Sequence, residues 1–236
     1  MTKIVVLSGA GMSAESGIST FRDSGGLWEK YRIEDVATPE GWERNPKLVL
    51  DFYNARRKQL FEVQPNAGHI GLTELEQMFD VEIITQNVDN LHERAGSKNV
   101  LHLHGELMKV RSERHEELVY ELTPERIEIA IGDKYEKGFQ LRPHIVWFGE
   151  AVPFIEKAQK IVQQADIFVI IGTSMNVYPA AGLINFVKPN TPIYLIDPND
   201  VKIQHMPNLV VIQKGASDGV EALKKMLLDK KMSHSN

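Results

Sequence analysis

The sequence predicts an α/β fold, a parallel sheet with helices on both faces and a smaller inserted lobe. Three observations predict it. Short apolar runs alternate with segments of helical periodicity, as expected of parallel strands buried on both sides. The polar motifs fall at the carboxyl ends of those runs, where open α/β sheets bind ligands. Two stretches, 28–64 and 111–149, break the alternation and are read as the inserted lobe; 1–27, 65–110 and 150–236 then form the larger unit.

The first strand is Lys3–Leu7, an apolar run that closes in Ser8-Gly9-Ala10-Gly11-Met12-Ser13-Ala14. Gly9 and Gly11 remove the Cβ atoms that would hold an anion away. A helix opening near Ser13 would aim unpaired N–H groups and its positive dipole end at the same spot. Gly-x-Gly-x-x-Ala fits the dinucleotide fingerprint of Rossmann-like sheets, and it also fits an ordinary strand–helix turn. A dehydrogenase unit would next reach a second strand ending in an acid about 20 residues on. Here Ser24-Gly25-Gly26 and the mixed stretch to Asn45 read as loop and short helix instead. Nucleotide binding is therefore expected, and hydride transfer is not.

Further along, Leu48–Phe61 and Ala67–Met78 have helical patterns and Val81–Thr85 is a buried strand. Leu101-His102-Leu103-His104-Gly105-Glu106 alternates, and Ile145–Glu150 has strand composition. Phe154–Gln164 reads as helix, Ile167–Ile171 and Ile193–Ile196 as strands, and Gly219–Leu228 as helix. Asp229–Asn236 is polar and expected to fray.

Of 236 residues, 42% are hydrophobic and 25% charged, the composition of a soluble globular chain. The net charge of -5 argues against non-specific nucleic-acid binding. There is no cysteine, which excludes disulfides, a thiolate nucleophile and cysteine-ligated zinc. The first apolar run begins at once and ends in glycine, unlike a leader. No run approaches the ~20 apolar residues of a membrane helix. A cytoplasmic monomer that engages neither membrane nor nucleic acid is expected.

Five constellations carry chemistry. Thr85-Gln86-Asn87-Val88-Asp89-Asn90-Leu91-His92 is either a polar loop with Asp89 as a helix cap, or a hydrogen-bonding array for an amide and a ribose. If 101–106 is a strand, His102 and His104 share a face. His-x-His can bind metal, but no third ligand stands at a familiar spacing. His102 is read as a core residue and His104 as a general base. Tyr53 and Arg56 lie three apart on a helical pattern. They form either an amphipathic boundary or a phenol–guanidinium pair for a carboxylate. Phe21-Arg22 follows the glycine turn, and Arg22 is either a surface salt-bridging residue or a phosphate or ribose contact. Ile145–Glu150 is either a buried strand or an edge that pairs with an extended peptide.

In this order, the motifs resemble the sirtuins, the NAD-dependent protein-lysine deacylases. The residues that carry the resemblance are Gly9–Ser13 with Ser16-Gly17-Ile18 and Phe21-Arg22; Gln86-Asn87-Val88-Asp89; His104-Gly105; Val146-Trp147-Phe148-Gly149-Glu150; and Gly172-Thr173-Ser174. Tyr53 and Arg56 match the Tyr-x-x-Arg pattern of the subgroup that removes acidic acyl groups, so desuccinylation or demalonylation is implied beside deacetylation.

The resemblance implies that NAD, consumed as a co-substrate, lies across the strand ends. Its pyrophosphate would meet Gly9, Ala10, Gly11, Met12, Ser13 and the Gly172-Thr173-Ser174 loop, with Arg22 nearby. Gln86 and Asn87 would hold the nicotinamide ribose, Asp89 the nicotinamide amide, Ala216 the adenine end and Asp197 the adenosine ribose. Phe21 would shield the emptied pocket. His104 would be the base, with Asn87 the second catalytic residue. The acylated peptide would pair near Val146, Phe148 and Gly149. ADP-ribosyl transfer to protein and a non-catalytic NAD or ADP-ribose sensor are the rival readings of such a cleft.

One departure is large. Sirtuins usually carry four cysteines on a structural zinc, and this chain has none. Zinc is expected to be absent. The small lobe would then fold by packing of Leu118, Tyr120, Leu122, Ile127, Ile129 and Phe139, and be the less stable of the two.

Overall fold

The structure, a computed structural model, describes residues 1–18, 31–173, 175–201 and 206–233. The first elements are β1 (Lys3–Ser8), α1 (Gly11–Ala14), α2 (Ile33–Val36), α3 (Pro39–Arg44), α4 (Pro46–Glu62), α5 (Ala67–Leu75), β2 (Asp80–Thr85), α6 (Leu91–Ala95) and β3 (Val100–His102). There follow β4 (Gly105–Ser112), β5 (Val119–Glu121), β6 (Leu141–Ile145), α7 (Ile155–Val162), β7 (Ile167–Ile171), β8 (Ile193–Ile196), β9 (Leu209–Ile212) and α8 (Ala216–Ser233).

Six strands pair in the order β3-β2-β1-β7-β8-β9, every pairing parallel. Alternate residues of β1 serve opposite faces. Ile4 and Val6 pack with Leu72, Leu75, Val220 and Leu223 of α5 and α8. Val5 and Leu7 pack with Ala158 and Val162 of α7 and with Leu183. Burial on both faces is why the strands read as unbroken apolar runs. The four strands foreseen from sequence are present, and β3 and β9 add the two edges. Among the described residues no strand lies between β1 and β2. From β1 the sheet runs to β2 on one side and β7 on the other, so the carboxyl ends of these three strands border the crevice of a topological switch point.

Two sequence expectations are corrected. The alternating segment 101–106 is not one strand. β3 ends at His102, and Gly105, at φ +82°, turns the chain into β4 of a second sheet. A Cβ there would strike the backbone of His144, so the crossing needs glycine. His102 and His104 therefore share no strand face. The strand expected over 145–150 lies instead at Leu141–Ile145. Beyond it Glu150 accepts the Trp147 backbone N–H at 2.7 Å and Gly149 takes φ +92°, which closes the segment into a turn.

The second sheet, β5-β4-β6, is antiparallel. Because β4 starts at Gly105, this lobe takes in residues 105–110. Helices α2–α4 cover it around Val36, Val49, Phe52, Tyr53, Leu107, Ile145 and Trp147. Among the described residues, no group of three or more histidine, aspartate or glutamate side chains is placed to hold a metal. Ile129 is buried with Leu50, Val110 and Leu141, and Tyr120 and Leu122 pack against them. Asn54 of α4 holds Ile129 on both sides, donating to its carbonyl (2.9 Å) and accepting its N–H (3.0 Å). Gln140 likewise donates to Ala130 O (3.1 Å) and accepts Gly132 N–H (2.8 Å). The Tyr120 and Tyr135 rings meet at 4.0 Å, and those of His115 and Phe139 at 5.4 Å. Leu118 and Ile127 are only half-buried. Among the described residues no helix is long and apolar enough to cross a membrane.

Candidate active site

A cleft of about 490 Å³ opens at the carboxyl ends of the parallel strands, walled on one side by the smaller lobe. Its floor begins where β1 and β7 end. A Cβ on Gly9 would come within 2.8 Å of the Gly172 carbonyl, and one on Gly11 within 2.7 Å of the Gly172 Cα. Gly172 itself has φ +61°. The glycines are thus required for two loops to touch, a need that neither an anion's approach nor an ordinary strand–helix turn accounts for. Backbone bonds lock the contact, Gly9 N–H to Ile171 O (2.9 Å) and Gly11 N–H to Gly172 O (2.8 Å).

Polar side chains converge beside these loops. Ser13 Oγ donates to Asp89 Oδ2 (3.0 Å) and accepts from Asn87 Nδ2 (3.1 Å), while Asp89 Oδ1 accepts Leu91 N–H (3.1 Å). Burial pushes the Asp89 carboxyl above the usual range against the pull of these donors. Gln86 Nε2 donates to Thr173 Oγ1 (3.1 Å), tying the end of β2 to the end of β7. Asp197 follows β8 and accepts the Asn199 backbone N–H (2.9 Å).

The two histidines differ in charge state, and their partners show why. His104 Nδ1 lies 3.0 Å from the Gln86 carbonyl, an acceptor only, so Nδ1 carries the proton. Nε2 then holds a lone pair and, with no protein partner among the described residues, faces the cleft. Burial lowers the His104 pKa, keeping the ring neutral. His102 has acceptors at both nitrogens, Asn87 O at 3.0 Å and Glu93 Oε1 at 2.7 Å. Although burial opposes its charge, Glu93 raises the pKa and the ring is an imidazolium bracing the Asn87 loop.

On the other wall, Tyr53 and Arg56 of α4 both line the cleft. Tyr53 is almost fully buried, and burial pushes its phenol up to about 12. Its oxygen accepts Trp147 Nε1–H at 3.1 Å. Arg56 is half-buried, its guanidinium 5.8 Å from the Phe52 ring. Val146, Phe148 and Gly149 line the mouth. The backbone N–H groups of Val146 and Phe148 already donate to His104 O and Ala37 O, each at 3.0 Å.

The cleft thus gathers Gly9, Ala10, Gly11, Ser13, Tyr53, Arg56, Gln86, Asn87, Asp89, His104, Val146, Phe148, Gly149, Gly172, Thr173 and Asp197. Met12 and Ala216 are not on its wall; both sit in the core between sheet and helices. Phe21, Arg22 and Ser174 lie outside the described residues. Sequence reasoning missed the layer beneath the floor. There Ser8 Oγ bonds Thr85 Oγ1 (2.9 Å) and His92 Nε2 (3.0 Å), and Asn66 Nδ2 donates to Met12 O (2.8 Å). Asn66-x-x-His69, a capping box at the start of α5, was the available signal.

Comparison with known proteins agrees with this geometry. Residues 9–179 match the Sir2 family. An NAD-dependent protein deacylase of Bacteroides thetaiotaomicron is 62% identical over 231 residues, 97% of this chain and 99% of the relative. One from Helicobacter pylori is 53% identical over 230 residues, again 97% and 99%. A Sir2 homologue solved with ADP-ribose superposes with a TM-score of 0.84 at 39% identity, covering 95% of this chain and 93% of its own. Another, solved with NAD, gives 0.83 at 38% identity, covering 95% and 90%. On the extent of the family match, and on identity over nearly its whole length, this chain belongs to the Sir2 family.

Proposed function

We propose that this chain removes acyl groups from lysine side chains of proteins and consumes NAD in doing so. The observation that carries the proposal is His104, whose Nδ1 is fixed on the Gln86 carbonyl while Nε2 faces a cleft floored by two interlocked glycine loops. NAD is the second substrate: its glycosidic bond breaks, nicotinamide leaves, and with water the products are free lysine and O-acyl-ADP-ribose. The chain supplies position and one proton acceptor. His104 Nε2 accepts a proton from a ribose hydroxyl. Asn87, its Nδ2 spent on Ser13, offers its amide oxygen to the ribose, beside Gln86. Asp89 holds the nicotinamide amide, and the Gly9–Ser13 and Gly172–Thr173 loops hold the pyrophosphate, with Asp197 at the adenosine end.

Acidic acyl groups, succinyl or malonyl, are proposed as substrates beside acetyl. Burial holds the Tyr53 phenol at about 12 against the downward pull of three nearby guanidinium groups, Arg56, Arg142 and Arg57. The phenol stays protonated at neutral pH and is a donor, as an acyl carboxylate requires. We also propose the cytoplasm as the compartment and the monomer as the working form, with 1–27, 65–104 and 150–236 as the NAD-binding unit, its middle segment cut back from the expected 65–110 because β4 belongs to the second sheet. The test is mass spectrometry of an acylated peptide incubated with enzyme and NAD. Loss of the acyl group with release of nicotinamide supports the proposal. Gain of ADP-ribose, or no reaction, overturns it.

A further inference from the structure

We propose that Trp147 is a positioning residue that fixes the direction of the Tyr53 hydroxyl and thereby sets the preference for an acidic acyl group. This rests on the acidic-acyl reading above and explains what enforces it. A phenol can donate or accept, and alone it does not discriminate between an anion and a neutral group. The Trp147 indole N–H can only donate. At 3.1 Å from the phenol oxygen it occupies an acceptor site and forces the phenol proton away from the indole. No acceptor among the described residues takes that proton, so it is left for a ligand in the cleft.

The indole is itself held. The Arg142 guanidinium lies 3.3 Å from the centre of the Trp147 ring. Arg142 forks onto Glu150, with Nη1–Oε1 at 2.8 Å and Nη2–Oε2 at 3.1 Å, and Nη2 also reaches Ile145 O at 3.1 Å. Glu150 Oε2 accepts the Trp147 backbone N–H at 2.7 Å, and Arg111 Nη2 meets Oε1 at 3.2 Å. Ring face and backbone of Trp147 are thus pinned by one carboxylate and the guanidinium it holds. A carboxylate at the end of an acyl chain gains a bond from the directed phenol; the methyl of an acetyl group gains nothing.

The test compares KM for succinyl- and acetyl-lysine versions of one peptide, with saturating NAD. Trp147→Phe keeps a ring for Arg142 and removes the N–H. The ratio of succinyl KM to acetyl KM should rise about tenfold, the worth of one directed hydrogen bond. In a Tyr53→Phe background the same change should move the ratio less than about twofold, because its target is gone. Benzothienylalanine at position 147, which has the indole's shape without the N–H, should reproduce the effect if the phenylalanine variant fails to fold. An unchanged ratio, or an equal shift in both backgrounds, overturns the role. Wild-type enzyme that turns over acetyl-lysine but not succinyl-lysine would instead remove the reading on which it rests.

Discussion

Asn54→Ala should unlock the cysteine-free lobe. Asn54 makes three side-chain bonds: Nδ2 to Ile129 O at 2.9 Å, and Oδ1 from Ile129 N at 3.0 Å and Arg57 Nη1 at 2.8 Å. Ile129 is 3% exposed, and Arg57 is fully buried with its Nη2 already lacking a partner among the described residues. Three bonds at about 1 kcal/mol each give about 3 kcal/mol. For a chain of 236 residues, each kcal/mol lowers Tm by roughly 2–4 °C, so a fall of about 6–12 °C is expected. Thermal unfolding reads the total. Amide hydrogen exchange locates it, with protection lost around Ile129 and retained in β1. A fall below about 2 °C with Ile129 still protected would refute the claim that side-chain amides hold this lobe.

The other predictions concern the cleft. His104→Ala should lower kcat by about 10²–10⁴, the range for loss of a general base, while calorimetry still detects NAD binding; full turnover would dismiss His104 as the base. Burial depresses the His104 pKa from its ordinary 6.5, so the working neutral ring is present above that value. Activity should therefore fall only as pH drops below 6.5, and an acid limb centred above 6.5 would contradict the assignment. Arg56→Met should cut desuccinylation by about 10–100-fold, as for a lost charge-assisted pair, and deacetylation far less. Equal losses on matched peptides would make Arg56 a structural residue.

The parallel strands were legible because burial on both faces writes itself as a continuous apolar run, as in Val5–Leu7 and Ile167–Ile171. The lobe crossing was not. Leu101–Glu106 alternates like one strand, and only the left-handed φ of Gly105, forced by the nearby His144 backbone, splits it between two sheets. Most of the residues that line the cleft could be named from their motifs and from the resemblance to a family, but their chemical states could not. His102 and His104 stand two apart, yet one is an imidazolium and the other neutral, because Glu93 from α6 reaches only the first. Likewise Trp147 reads as strand filling until folding brings it to Tyr53, 94 positions away. Gly9 and Gly11 mark the turn after β1 in the sequence, but their loop-on-loop contact with Gly172 and Thr173 is visible only in the fold.

The most direct measurement is the product pattern of the wild-type protein with NAD and one peptide carrying acetyl-lysine or succinyl-lysine. The account predicts equal amounts of deacylated peptide, nicotinamide and O-acyl-ADP-ribose from each. Peptide that keeps its acyl group, or that gains ADP-ribose, would contradict it.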